Sequence, residues 1–234
     1  MTVSKTAELY EALREELLDG VHRPGAKLGI DAIGARFGVS PSVVREALSR
    51  LTSDRLVNAM PQRGFAVAAL SVEDLDDLTE VRIEVETRCI ARSVRNGDID
   101  WEAALLASWH RLSSVSASPE GRRHPDWERL HATFHDDLVA ACDSAWWLRL
   151  RGGLYLQAER YRRALRAEAD RTRDIEAEHR ELLDLAMCRD AEGAARALAR
   201  HLERTARAAR EAGLPEWQDP GAAPAKERVG GVTG

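Results

Sequence analysis

Two groups of residues in this sequence have types and spacings that could do chemistry. The first is histidine. Five of the seven histidines lie between residues 124 and 201. His131 and His135 stand four apart in Leu130-His131-Ala132-Thr133-Phe134-His135. On a helix, positions i and i+4 share a face, so both imidazoles can approach one metal ion. Imidazole suits zinc, nickel or copper. His179 follows Glu178, and His201 precedes Leu202 in a later helical stretch. Spacing alone does not bring four histidines from separate segments together. Taken singly, His179 and His201 read as ordinary surface or core residues.

The second group could meet nucleic acid. Ser40, Ser42, Val43 and Arg45 open a helical stretch whose first position is Pro41. Hydroxyls and free N–H groups at a helix start can bond phosphate. An arginine one turn in can set its guanidinium on a guanine edge. Arg63-Gly64 sits between two short extended runs, where glycine lets the backbone approach a minor groove and arginine supplies charge. The blander readings are an Arg45 paired with Glu46 or Asp54, and an Arg63 that is only a solvated hairpin tip.

The elements that must position these residues can be read from periodicity. Leu9, Leu13 and Leu17 mark one face of a helix over 4–19, stopped by Gly20. A short helix fits 31–37, with Asp31 as its N-cap and Gly38 as its terminator. Ser40 caps a third helix that runs to about Ser53 with Val44, Leu48 and Leu51 inward. Leu56–Met60 and Phe65–Ala68 read as a hairpin. Two helices joined by a tight glycine turn, then a hairpin, is the winged helix-turn-helix order. From Ser71 the pattern is helical, with helices near 72–96, 100–117, 125–142, 145–168, 172–188 and 190–211. The expected fold is mainly α: residues 1–70 form a winged helix-turn-helix with a small β-hairpin. Residues 71–212 form an all-α bundle of six to seven helices. Residues 213–234 lack periodicity and read as a disordered tail.

Gly38 through Leu51, then Leu56-Val57 and Pro61-Gln62-Arg63-Gly64-Phe65-Ala66-Val67, resembles the GntR family of bacterial transcription factors. The helical remainder resembles the FadR-like branch, whose effector domain is called FCD. The likeness covers about 210 residues. It implies a cytoplasmic regulator, a homodimer on palindromic operator DNA, most simply a repressor released by a small organic acid. It implies that Ser40, Ser42, Val43, Arg45, Arg63 and Gly64 face DNA. Many relatives carry Arg where this chain has Pro41, which should alter operator preference. FCD domains typically carry a D-x3-H pair, then E-H, then H-L. This chain matches at His135, at Glu178-His179 and at His201-Leu202. It departs at His131, where an acid or amide is usual. The resemblance thus implies a divalent metal on His131, His135, His179 and His201. Four neutral ligands in place of three and a carboxylate favour zinc or nickel over manganese or magnesium. Arg82 and Glu86 match the family's first-helix motif, in which the arginine can clamp a carboxylate; a simple i,i+4 ion pair is the alternative. Tyr155 is a candidate hydroxyl donor to the effector, and Arg160 a weaker one. Trp146-Trp147 replaces the usual pattern and reads as core or dimer contact.

Composition limits the remaining classes. The net charge is −5. Residues 1–70 carry nine Lys/Arg against eight Asp/Glu, and the rest 25 against 31, so the acidity belongs to the helical part. No HExxH, GxSxG, P-loop or GxGxxG is present. A metal-dependent hydrolase is therefore a remote alternative, behind a regulator whose metal is structural or whose pocket is empty. Cys89, Cys142 and Cys188 stand in unrelated helical contexts with no CxxC, which suits a reducing compartment. No apolar run approaches the roughly 20 residues of a membrane helix.

Overall fold

A computed structural model describes residues 4–118, 120–164 and 173–213. The described chain divides into two compact units on either side of the Leu70–Ser71 junction.

In the first unit, α1 (Lys5–Leu18) starts at Ser4, whose hydroxyl accepts from the Ala7 N–H. Its buried stripe is Leu9, Leu13, Leu17 and Leu18. That stripe packs on α3 (Pro41–Ser53), where Val44, Ala47, Leu48 and Leu51 have no exposed surface. The Tyr10 hydroxyl donates to Asp54 at 2.6 Å, and the Thr6 hydroxyl to Glu46 at 3.3 Å. Between them lies α2 (Ile30–Phe37). Its N-cap is Gly29, and the expected cap Asp31 lies instead in the first turn, where its charge suits the positive helix end. Gly38 closes α2 in the left-handed region, at φ 64°. A Cβ on Gly34 would come within 3.0 Å of the Val39 carbonyl, so the tight turn into α3 needs glycine there too.

The expected hairpin is present as β2 (Val57–Met60) and β3 (Gly64–Val67). A third strand, β1 (Lys27–Leu28), pairs antiparallel with β3 and completes a sheet of order β1-β3-β2. Two residues are too few to show a period, which is why the sequence hides β1.

The second unit is helical throughout its described length. It comprises α4 (Val72–Asn96), α5 (Ile99–Ser116), α6 (Trp127–Val139), α7 (Ala145–Ala164), α8 (Ile175–Met187) and α9 (Ala191–Glu211). Acidic or hydroxyl N-caps start four of them: Ser71, Asp98, Asp174 and Asp190 each accept from a first-turn N–H. Helix α4 packs against α6, α7 and α9. The core is filled by Trp127, Phe134, Ile90, Leu105, Leu112 and Leu138.

The expected helix over 125–142 ends early. A 3-10 turn over Ala140–Cys142 follows α6, and Asp143 adopts φ 53°. The Ala141 N–H donates to Ser93 Oγ at 3.0 Å, and Arg92 Nε to the Cys142 carbonyl at 2.8 Å. This kink corrects the reading of unrelated cysteines. It carries Cys142 back onto α4 beside Cys89, both fully buried. Burial, together with the neighbouring Cys142 thiol, pushes the Cys89 thiol up to about 12. Cys188 is exposed. The end of the expected 145–168 helix, the start of the 172–188 helix and the expected tail beyond Gly213 lie outside the described residues.

Candidate functional site

The helical unit gathers four of its six histidines. His131 and His135 come from α6, one turn apart. His179 comes from α8 and His201 from α9. All four are buried, and one nitrogen from each lies within 4.8 Å of the others. The His135 and His179 Nε2 atoms are 3.2 Å apart. The His131 and His135 rings stand 4.5 Å apart, and the His179 and His201 rings 4.9 Å.

Burial first, then mutual repulsion and nearby arginines, holds His131, His135 and His179 well below the ordinary imidazole value. His201 is also lowered, chiefly by burial, although its bond to Glu178 opposes the shift. Neutral imidazole is the form that ligates metal. The donor set fits a metal ion. Four lone-pair donors crowd a buried space, and His131 Nδ1 is buried with no hydrogen-bond partner among the described residues.

Glu178 supports this cluster from behind. Its carboxylate lies 2.9 Å from His201 Nδ1 and also takes bonds from Arg173 and Arg204. Burial alone would raise the carboxyl, but the bonds from His201 and Arg173 win and hold it well below the usual carboxylate range. An ionised acceptor on Nδ1 fixes the His201 proton there and leaves Nε2 as the ligand atom. Trp127 stacks on His131, with ring centroids 4.5 Å apart and planes at 17°. The sequence reading places Glu178 only as the neighbour of His179 in the E-H pair, without a role of its own. The adjacency Glu178-His179 was the available signal.

Next to His135 stands a wall of donors. Tyr155 has its ring centroid 6.2 Å from that of His135. The guanidinium carbons of Arg151 and Arg82 lie 4.6 and 5.3 Å from the Tyr155 ring. Arg82 Nε donates to Glu86, and both residues are buried. The i,i+4 pair is therefore real, and it lies inside the bundle. Arg151 bonds Asp136 and has its Nε 3.6 Å from Glu86. Among the described residues, Arg151 Nη2 and the Tyr155 hydroxyl are buried with no hydrogen-bond partner, and Arg151 Nε has only its ion pair with Glu86. Burial pushes the Tyr155 phenol up, so it stays protonated. Arg151 escaped the sequence reading because one arginine in an arginine-rich stretch carries no distinguishing spacing. Arg160 donates to Gln157 at 3.0 Å. Trp146 is exposed, whereas Trp147 packs on the core.

The start of α3 makes the other candidate face. Ser40, Ser42 and Arg45 are exposed, and Val43 is half-buried. Ser40 occupies the cap position, but its hydroxyl bonds Ser42 Oγ at 2.9 Å and no helix N–H. The first N–H groups of α3 thus have no side-chain cap, the arrangement that receives phosphate. Arg45 has no ion pair among the described residues. The two acids considered as its partners, Glu46 and Asp54, accept from Thr6 and Tyr10 instead. Arg63 is exposed at the hairpin turn, beside Gly64 at φ 90°.

Residues 5–67 match the family described as bacterial regulatory proteins, gntR family, and residues 77–204 match the FCD domain. The uncharacterized HTH-type transcriptional regulator BphR of Paraburkholderia xenovorans (strain LB400) is 39% identical over 210 residues, covering 88% of this chain and 85% of that protein. The HTH-type transcriptional repressor GlaR of Escherichia coli (strain K12) is 30% identical over 198 residues, 82% and 90% of the two chains. The solved structure of E. coli McbR/YncC superposes with a TM-score of 0.73 at 22% identity, over 90% of this chain and 99% of the other. That last likeness bears on the fold.

Proposed function

Because the chain belongs to the GntR family and carries an FCD domain, it is a DNA-binding transcriptional regulator, and we propose that it is a repressor released from a palindromic operator by a small organic acid. Its relatives and both its domains are regulators and not enzymes, so the hydrolase alternative falls. No helix among the described residues is long and apolar enough to cross a membrane. As a regulator of bacterial genes it acts in the cytoplasm.

Residues 1–70 read DNA in this proposal, and 71–212 bind effector and dimerise. Two copies present two recognition helices to two half-sites. Ser40, Ser42 and the free start of α3 hold a phosphate, Val43 and Arg45 meet base edges, and Arg63-Gly64 enters the minor groove.

His131, His135, His179 and His201 would hold zinc or nickel. A bound ion supplies a Lewis-acid position for a carboxylate oxygen. Arg151 Nη2 and the Tyr155 hydroxyl then donate to the rest of the acid, while Glu86 keeps Arg82 and Arg151 in place. The observation that carries this reading is the pair of buried donors, without a hydrogen-bond partner among the described residues, beside four buried neutral imidazoles. An acid releases the operator only to the extent that it binds the released state more tightly.

The test is direct. Elemental analysis of purified protein should find about one divalent ion per chain. A thermal-shift screen of organic acids should then yield a hit that also lowers operator affinity. Metal without any responsive acid would leave the ion a structural role and remove the effector reading.

A further inference from the structure

Two enclosed arginines of α7 are answered in different ways. Arg162 is closed off. Its Nε donates to Glu159, its Nη1 to Glu128, and its Nη2 to both. The two carboxylates are enclosed with it, at 6% and 15% exposure. Arg151 is left open. It is 5% exposed, yet its Nη1 donates to Asp136, whose side chain is 62% exposed. Its Nη2 is buried with no hydrogen-bond partner among the described residues. Nη1 and Nη2 form the end of the guanidinium fork, which a carboxylate can grip with both oxygens. Asp136 engages one prong through a single oxygen.

The charges on this wall point the same way. Arg82 and Arg151 share one enclosed carboxylate, Glu86. One positive charge is left over, and Asp136 offsets it from the surface. Among the described residues, Glu86 and Asp136 are the two acids paired with Arg151. They differ in what leaving would cost. Glu86 would strand a buried charge. Asp136 already stands largely in water, so a change of side-chain rotamer can release it.

We propose that Asp136 is a tethered competitor of the effector: its carboxylate occupies Arg151 until the carboxylate of the acid displaces it into water and takes Nη1 and Nη2 together. The inference rests on the organic-acid reading above and adds the regulation of that site. One carboxylate replaces another at the same guanidinium, so no proton moves and the charge on the wall is conserved. The exchange gains a hydrogen bond, because the acid engages both prongs where Asp136 engages one. Each oxygen of the acid keeps a second lone pair, which the Tyr155 hydroxyl beside Arg151 can fill. The tether also sets a threshold. An acid must outcompete a carboxylate that cannot diffuse away, so its apparent affinity falls by the fraction of time that Arg151 is released.

Calorimetric titration of the full chain with sodium acetate tests it. Asp136→Asn keeps the size of the side chain and one acceptor oxygen but removes the competing charge. It should tighten acetate binding about tenfold. Asp137→Asn removes an equal charge one residue on, where the carboxylate bonds Ser108. It should change acetate binding by about twofold or less. Unchanged or weaker binding by D136N would mean that Asp136 only holds Arg151 in place; that result would overturn the exchange and leave the acid site standing. Equal gains in D136N and D137N would trace the effect to diffuse repulsion and overturn the exchange as well. No acetate binding by any of the three chains would remove the acid site itself, and the exchange with it.

Discussion

The two units treat their charges in opposite ways. In residues 4–70, Arg45 and Arg63 stand in water, and the neighbouring acids are engaged by Tyr10 and Thr6. In residues 71–213, buried charge is answered. Glu86 and Asp136 meet Arg151, Glu86 also meets Arg82, and Glu128 and Glu159 meet Arg162. The histidines take the other course open to a buried base and stay neutral. A charge in water costs little to hold and is ready for a polyanion. A charge inside a bundle must be paired or lost, since an unpaired one costs several kcal/mol. What the bundle leaves over is a small set of donors and lone pairs, which a ligand has to complete.

The sharpest way to break this contrast is to empty the cluster. His135→Ala with His179→Ala should reduce metal content from about one ion per chain to none, at a loss on the order of 10 kcal/mol of binding free energy for a structural-type site. Operator binding without effector should persist. Metal that survives in elemental analysis would refute the cluster. The reciprocal change, Arg45→Ala, should cost about 2–6 kcal/mol of specific operator affinity over two half-sites, with metal content and melting temperature unchanged. Normal footprinting by this variant would sink the recognition-helix assignment.

Acid probes the same difference more gently. The four imidazoles are held below their ordinary value, chiefly by burial. Below about pH 6.5 the unfolded chain takes up protons that the folded bundle refuses, so stability present above that pH is lost as pH falls. The loss is at most about 1.4 kcal/mol per group per pH unit. Chelator-treated protein should therefore melt lower at pH 5.5 than at 7.5; equal melting would mean that the imidazoles are charged in the fold. Smaller still is the effector wall. Arg82→Ala should abolish the acid-dependent change in operator affinity, a coupling of about 1–3 kcal/mol. Tyr155→Phe should weaken acid binding by about 1 kcal/mol without touching the Arg82–Glu86 pair. Survival of the full response in both would remove the wall from the effector site. The smallest effect belongs to Arg63→Ala, which should lower operator affinity by about 1 kcal/mol and flatten the salt slope by about one unit per half-site. An unchanged slope would leave Arg63 a solvated hairpin tip.

The same contrast explains what could be read in advance. The reader's chemistry is local. Gly38, Pro41 and the spacing from Ser40 to Arg45 are backbone and helix-end rules written within a few residues. Such rules fail only where two readings are equally good locally, as at Asp31, which suits a cap and a first turn alike. The bundle's chemistry is assembled from distant helices. The His131–His135 pair was legible because one helix holds both, but the meeting with His179 and His201 needed the resemblance. Arg151 beside Tyr155, and Cys142 against Cys89, depend on how α6 kinks and α7 packs. Nothing within ten residues of either position announces that.

That kink has a practical corollary. It shuts two of the three thiols away and leaves Cys188, at the end of α8, in solvent. A maleimide dye should therefore couple once per native chain, with no engineered cysteine. Reaction of the other two would then serve as a stopwatch for the moment the bundle comes apart.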